Sequence, residues 1–247
     1  MIIHGIQKLT LLDYPEHLAA VLFTGSCNFR CPFCHNASLV LAPHQAPVIP
    51  EEEVLETLKK RRGRLTGVCI TGGEPTLHAD LPDLIARIKD LGYLIKLDTN
   101  GTNPAMIRQL YQNGLIDYVA MDIKASRANY PLVSGCPSIS LDVLQESIDY
   151  LRSCGITHEF RTTAVKGLHT EEDFTDIAAW MAGCERYFLQ TFKDSGNILD
   201  REQKRLSSPD LPGEPDSSLS GFSEEEMHYF LTLIQTGIPN ARLRGVE

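Results

Sequence analysis

The sequence predicts an α/β fold, a barrel of parallel strands folded as one domain, and three observations carry that expectation. Short apolar runs rich in strand formers alternate with amphipathic helical runs from residue 18 onward, the signature of repeated βα units. Each apolar run leaves through a polar or glycine-containing exit. A length of 247 residues is ordinary for an α/β barrel, which packs all of it around one core.

Taken in order, six strands are expected at 18–24, 67–71, 94–98, 118–122, 159–165 and 187–192, with a weaker seventh at 241–246. Between the first two, Glu51, Glu52 and Glu53 open a helix that Lys59, Lys60 and Arg61 close, the order a helix dipole favours, and Val54 and Leu58 give it an apolar face. The next helix takes Asp80 as N-cap, carries the stripe Leu81, Leu84, Ile85, Ile88 and Leu91, and ends at Gly92. Thr170 with Asp173, and Ser223 with Glu226, read as capping boxes ahead of the stripes at Phe174, Ile177, Met181 and at Met227, Phe230, Ile234. Residues 39–49 and 207–222 break the alternation and read as loops, the second either a lid or docking segment or a plain solvated connector. The core is expected over about 16–200, with 201–247 as a C-terminal extension of the same domain.

Composition narrows the function. The chain is 43% hydrophobic, enough to bury a core, and its net charge of −9 argues against a phosphate backbone as partner. The N-terminus shows no basic stretch followed by an apolar one, and the run 18–23 is far short of the roughly 20 residues of a membrane helix, so a cytoplasmic protein without membrane contact is expected. Of seven cysteines, three crowd into eight positions, which suits a metal site better than a disulfide framework.

Those three, Cys27, Cys31 and Cys34, form a C-x3-C-x2-C run after the first expected strand. Three thiolates on an iron–sulfur cubane leave one iron open to a substrate, whereas a closed zinc site needs a fourth ligand, from His35 or from a distant residue. Both remain open at this point, including a non-catalytic module for electron transfer or structure. Further polar groups follow successive strands, at what would be the C-terminal, active-site face of a barrel. Gly72 and Gly73 would let backbone approach a ligand, or simply make a turn, and Glu74 offers a carboxylate to a cationic group. Asp98, Thr99 and Asn100 supply short hydrogen-bonding side chains, and the helical pattern after Gly101 argues against a hairpin there. Asp122 and Lys124 follow the fourth strand, where an exposed pair would be worth little. Arg161 interrupts the otherwise uncharged stretch 160–164, either facing inward towards a carboxylate or outward towards the helices. His35 and Asn36 stand where hydrogen bonds could tune a cluster.

With Phe33 before its last cysteine, the cysteine run resembles that of the radical S-adenosylmethionine (SAM) superfamily. Cys34-His35-Asn36, Gly72-Gly73-Glu74-Pro75, Asp98-Thr99-Asn100-Gly101 and Met121-Asp122-Ile123-Lys124 together resemble the activating proteins of glycyl radical enzymes, most of all those of anaerobic ribonucleoside-triphosphate reductase. The likeness runs from Gln7-Lys8-Leu9 to Gln190-Thr191-Phe192. It implies a partial (β/α)6 TIM-like barrel of the radical SAM type, with one 4Fe-4S cluster on the three cysteines and SAM at its open iron. It further implies Phe33 either on the adenine or as a shield of the cluster, Glu74 at the methionine amine, Asp98 and Asp122 in a monovalent cation site, and Arg161 at a cofactor carboxylate. The implied partners are a glycyl radical enzyme as protein substrate and an electron donor such as flavodoxin or ferredoxin. A radical SAM enzyme acting on a small molecule, peptide or RNA is the alternative. The ferredoxin-like insert of some activases is missing, since residues 37–71 contain only Cys69, expected as a buried, inert thiol.

Overall fold

The computed structural model describes residues 1–207 and 217–245. Their eight strands are β1 (Ile3–Thr10), β2 (Ala19–Thr24), β3 (Gly67–Gly72), β4 (Leu94–Thr99), β5 (Tyr118–Asp122), β6 (Thr157–Ala164), β7 (Tyr187–Thr191) and β8 (Arg242–Arg244). The α/β class holds: β1 pairs antiparallel with β2, and the pairings within β2 to β5 and within β6 to β8 are parallel. All six expected strands are present, the weaker seventh appears as β8, and β1 is an addition. Only Ile3 and Thr10 of β1 are buried while Gln7, Lys8 and Leu9 are exposed, so this strand has no apolar run to read.

By its internal contacts the chain forms two compact units. The first comprises residues 1–27, 38–121 and 142–158 and holds β1 to β5. Its register sets Thr24 beside Gly72, Cys69 beside Lys96, and Lys96 beside Tyr118. Strands β2 to β4 are buried on both faces, which is why they read as continuous apolar runs. The helix Glu51–Lys59 buries Val54, Leu55 and Leu58, and Leu81–Lys89 buries Leu81, Leu84, Ile85 and Ile88, each such side chain stabilising by roughly 1.5–3 kcal/mol. Asp80 does precede the second helix, but its side chain makes no cap hydrogen bond. It pairs instead with the Met1 ammonium at 2.8 Å, a stronger donor than a helical N–H. The expected loop 39–49 carries part of a short helix, Ala37–Leu41, and a 3-10 turn, Pro43–Gln45.

The second unit comprises residues 28–37, 122–141 and 159–247. Its described part contains β6 to β8 with the helices Tyr130–Ser134, Glu171–Trp180, Leu199–Ser207 and Glu224–Gln235. Both capping boxes are present; at the second, Ser223 Oγ accepts from the Glu226 N–H at 3.2 Å and the Glu226 carboxylate from the Ser223 N–H at 2.7 Å. The stripes they start meet where Phe174 stacks on Phe230 at 4.3 Å. Arg244 of β8 grips the fully buried Glu159 of β6 with two bonds, 2.9 and 3.0 Å, which ties the extension's last strand to this unit. Residues 208–216 of the expected 207–222 loop and position 246 of the expected last strand lie outside the described residues. No helix among the described residues is long and apolar enough to cross a membrane.

Candidate functional site

In the first unit the polar groups gather after β2, β3 and β4. Ser26, just before Cys27, holds a left-handed φ of 62°, which a non-glycine residue adopts only when its surroundings demand it. Its N–H donates to the Leu39 carbonyl at 2.8 Å and its carbonyl accepts the Glu74 N–H at 2.8 Å. Gly73 makes this contact sterically feasible, because a Cβ there would stand 1.8 Å from Ser26 O. At Gly72, with φ of 112°, a Cβ would stand 2.5 Å from the Thr24 backbone. The glycine pair therefore admits the chain's own backbone, the stretch that aims Cys27.

Glu74 is likewise engaged within the chain. Its side chain is 1% exposed and knots two strand exits together: Oε1 accepts from the Thr76 N–H at 3.1 Å, the Thr76 hydroxyl at 2.6 Å and the Thr99 hydroxyl at 2.7 Å, and Oε2 from the Asn100 N–H at 2.6 Å. Burial pushes its carboxyl up, against the pull of those four donors. With three donors crowded on Oε1 and one on Oε2, the remaining acceptor capacity lies on Oε2. Asn100 also reaches Cys27, its Nδ2 donating to Sγ at 3.9 Å, so a side chain of the third motif supports a thiolate of the first. Asp98 pairs with Lys96, which is itself 1% exposed. Cys69 is buried as expected, yet faces that same ammonium at 3.9 Å, a polar neighbour for a thiol read as inert. Finally, the fully buried Thr24 hydroxyl at the end of β2 has no hydrogen-bond partner among the described residues, a cost of about 1–3 kcal/mol that a polar ligand group could relieve.

In the second unit the loop bearing Cys31 and Cys34 is pinned along its length. The Arg30 N–H and the Cys31 thiol both donate to the Ser134 carbonyl, at 2.8 and 3.6 Å, while the Cys34 and Pro32 carbonyls accept from the Leu199 and Asp200 N–H groups at 3.0 and 2.8 Å. Burial pushes the Cys34 thiol up, and the Asn36 N–H and the Lys124 charge pull the other way. Asn36 thus acts through its backbone, whereas His35 turns aside to Ser195 at 3.0 Å and stacks on Phe192 at 5.5 Å. Phe33, 7% exposed, sits edge-on to Phe192 at 6.3 Å with the Lys124 ammonium 6.0 Å from its ring centre.

Asp122, Lys124 and Arg161 form one assembly. Lys124 Nζ donates to Asp122 Oδ2 at 2.8 Å, and Arg161 Nε donates to Oδ1, at 27% exposure of the carboxylate. Burial works against the charge of Asp122, but the guanidinium and the ammonium more than offset it and hold the carboxyl well below its usual range. Burial likewise opposes the charge of Lys124, and Asp122 together with Cys31 outweighs it and raises the ammonium. Two cations on one anion leave a net positive group, suited to a carboxylate ligand. Arg161 therefore has a carboxylate partner within its own unit.

The donors fit the groups that the resemblance implies. None of the three motif cysteines is in a disulfide, and an amide, a backbone N–H and an ammonium lie near them. Among the described residues no three His, Cys, Asp or Glu side chains converge on one ion position. Sequence reasoning missed Ser26, Thr76 and Lys96. Only Lys96, a charge inside an apolar run, left a visible signal.

Residues 21–181 match the Radical SAM superfamily. A Methanocaldococcus jannaschii protein, itself only provisionally assigned as a glycyl-radical enzyme activating enzyme, is 35% identical over 212 residues, 84% of this chain and 86% of the relative. A GTP 3',8-cyclase of Nautilia profundicola is 26% identical over 237 residues, 87% of this chain and 71% of the cyclase. Among solved structures, Streptococcus suis SuiB bound to S-adenosylmethionine shares the fold at a TM-score of 0.62 and 14% identity, over 91% of this chain and 52% of SuiB, so the chain spans about half of that protein. Similar in sequence through the cysteine run and every strand exit described above, and in fold over most of its length, the chain belongs to the radical SAM superfamily.

Proposed function

We propose that this chain is an activase that cleaves SAM reductively and places a glycyl radical on a partner protein, an anaerobic ribonucleoside-triphosphate reductase. The observation that carries this reading is the 35% identity to a provisional glycyl-radical activating enzyme over most of both chains. Cys27, Cys31 and Cys34 would hold a 4Fe-4S cluster, which would supply the electron for reductive cleavage of SAM and so the hydrogen-abstracting chemistry directed at the partner's glycine.

The chain's own side chains bind, orient and exclude. Arg161 and Lys124, held at Asp122, would take the methionine carboxylate through charge-assisted bonds. Glu74 keeps Thr99 and Asn100 in place and has acceptor capacity left on Oε2 for the methionine amine. Asn100 steadies the Cys27 thiolate, while Phe33 and Phe192 keep water from the cysteine loop. The reductant is a flavodoxin or ferredoxin in this reading. The similarity to GTP 3',8-cyclases favours a second one, a radical SAM enzyme acting on a small molecule.

Electron paramagnetic resonance separates them. The reconstituted protein, SAM, dithionite and an anaerobic ribonucleotide reductase should give a glycyl radical doublet. Release of 5'-deoxyadenosine without that doublet would favour the small-molecule reading, and no release at all would favour a non-catalytic cluster module.

A further inference from the structure

Lys96 is out of place in its strand. It lies mid-β4, 1% exposed, in a layer whose register neighbours are Cys69 on β3 and Tyr118 on β5. Its ammonium is 3.9 Å from the Cys69 sulfur and 5.9 Å from the Tyr118 ring centre, and it forms an ion pair with Asp98. Residues 96 and 98 share one face of the strand because side chains alternate along it. Burying such a pair strips both ions of water, and an apolar residue of similar size would usually hold the fold as well or better. The pair is thus poorly explained by stability alone.

What it does is fix Asp98, the first residue of the run whose next two members bind Glu74 and Cys27. The resemblance implies that Asp98 and Asp122 help to hold a monovalent cation. In this chain both carboxylates already carry protein cations: Lys96 on Asp98, and Arg161 with Lys124 on Asp122. A metal ion at Asp98 would have to displace an ammonium already bonded there, so the residues present do not fit it.

We propose that Lys96 is a built-in counter-ion, a positioning residue that takes the place of a bound monovalent cation at Asp98. The inference rests on the SAM-binding reading only for its consequence, that cofactor binding needs no sodium or potassium.

The test compares the cluster-loaded protein in choline, sodium and potassium chloride at equal ionic strength, following its thermal midpoint and its SAM affinity by equilibrium dialysis. The wild type should keep one midpoint and an affinity within threefold across the three salts. Lys96→Met should bind SAM about tenfold more weakly in choline, and sodium or potassium should restore most of the loss, an effect that lost packing alone would not produce. Lys96→Arg should behave as wild type. A wild-type affinity or midpoint that depends on sodium or potassium beyond these bounds would overturn the proposal, as would a Lys96→Met variant that binds normally in choline. If Lys96→Met does not fold, the wild-type midpoint series decides alone. If the wild type binds no SAM in any salt, the cofactor reading fails, and the midpoint still reports whether a monovalent ion is taken up.

Discussion

Glu74 in the first unit and Asp122 in the second are both carboxylates at the exit of a strand, and they are stabilised by opposite means. Four neutral donors surround Glu74 and burial raises its carboxyl, whereas two cations hold Asp122 and keep its carboxyl low. The first arrangement trades charge for rigidity, since every donor is a backbone N–H or a short hydroxyl on a neighbouring turn. The second keeps charge available, since guanidinium and ammonium have further N–H groups to offer a ligand. One unit therefore supplies shape and the other supplies field, although the residue types alone suggest no such division.

The largest effect that would break this contrast is expected at Gly73. Gly73→Ala forces a Cβ onto Ser26 O and should cost about 3 kcal/mol in urea unfolding, with cysteine-bound iron falling after anaerobic reconstitution. A stable, fully loaded variant would mean that the first unit is not a rigid frame. Next, Glu74→Gln should cost about 2 kcal/mol, because an amide cannot accept from all four donors. Smaller again, Arg161→Met should leave iron content intact and weaken SAM binding about tenfold, roughly 1.4 kcal/mol, and added salt should shrink the gap to wild type. An equal loss of iron would make Arg161 part of the frame.

The smallest effect is in pH dependence, where the two acids should act with opposite sign. A carboxyl depressed on folding contributes stability that is complete above its unfolded value, about 3.9, and fades as pH falls through the folded value, as for Asp122. A raised one makes the folded state the stronger proton binder, so stability falls as pH climbs from the unfolded value, about 4.3, through the folded one, as for Glu74. Urea midpoints of wild type, Glu74→Gln and Asp122→Asn between pH 3 and pH 8 should show the two variants departing from wild type in opposite directions.

The strands and helices were legible because burial imposes a period, and β2 to β4 with their stripe-bearing helices obey it. The edge strand β1, half solvated, does not. Among polar residues the sequence marks positions but not partners. Glu74 meets Thr99 and Asn100 only because β3 and β4 end beside each other, and Asp122 meets Arg161 across a long stretch of sequence. Asp80 shows the same gap: its place before a helix was readable, but the competing chain terminus was not. Gly72 and Gly73 were readable as close-approach positions, while what approaches them is visible only in three dimensions.

The pinned cysteine loop also bears on the order in which the molecule can be made. Cys31 and Cys34 are made well before the N–H groups of Leu199 and Asp200 that fasten their loop, which come only after residues 35 to 198 have been added. At roughly 5–20 residues per second, that leaves the loop half-fastened for on the order of ten seconds. A nascent chain would then expose two thiols to oxidation or to stray metal before their loop is fastened, so cluster delivery is better matched to the released protein than to the emerging one.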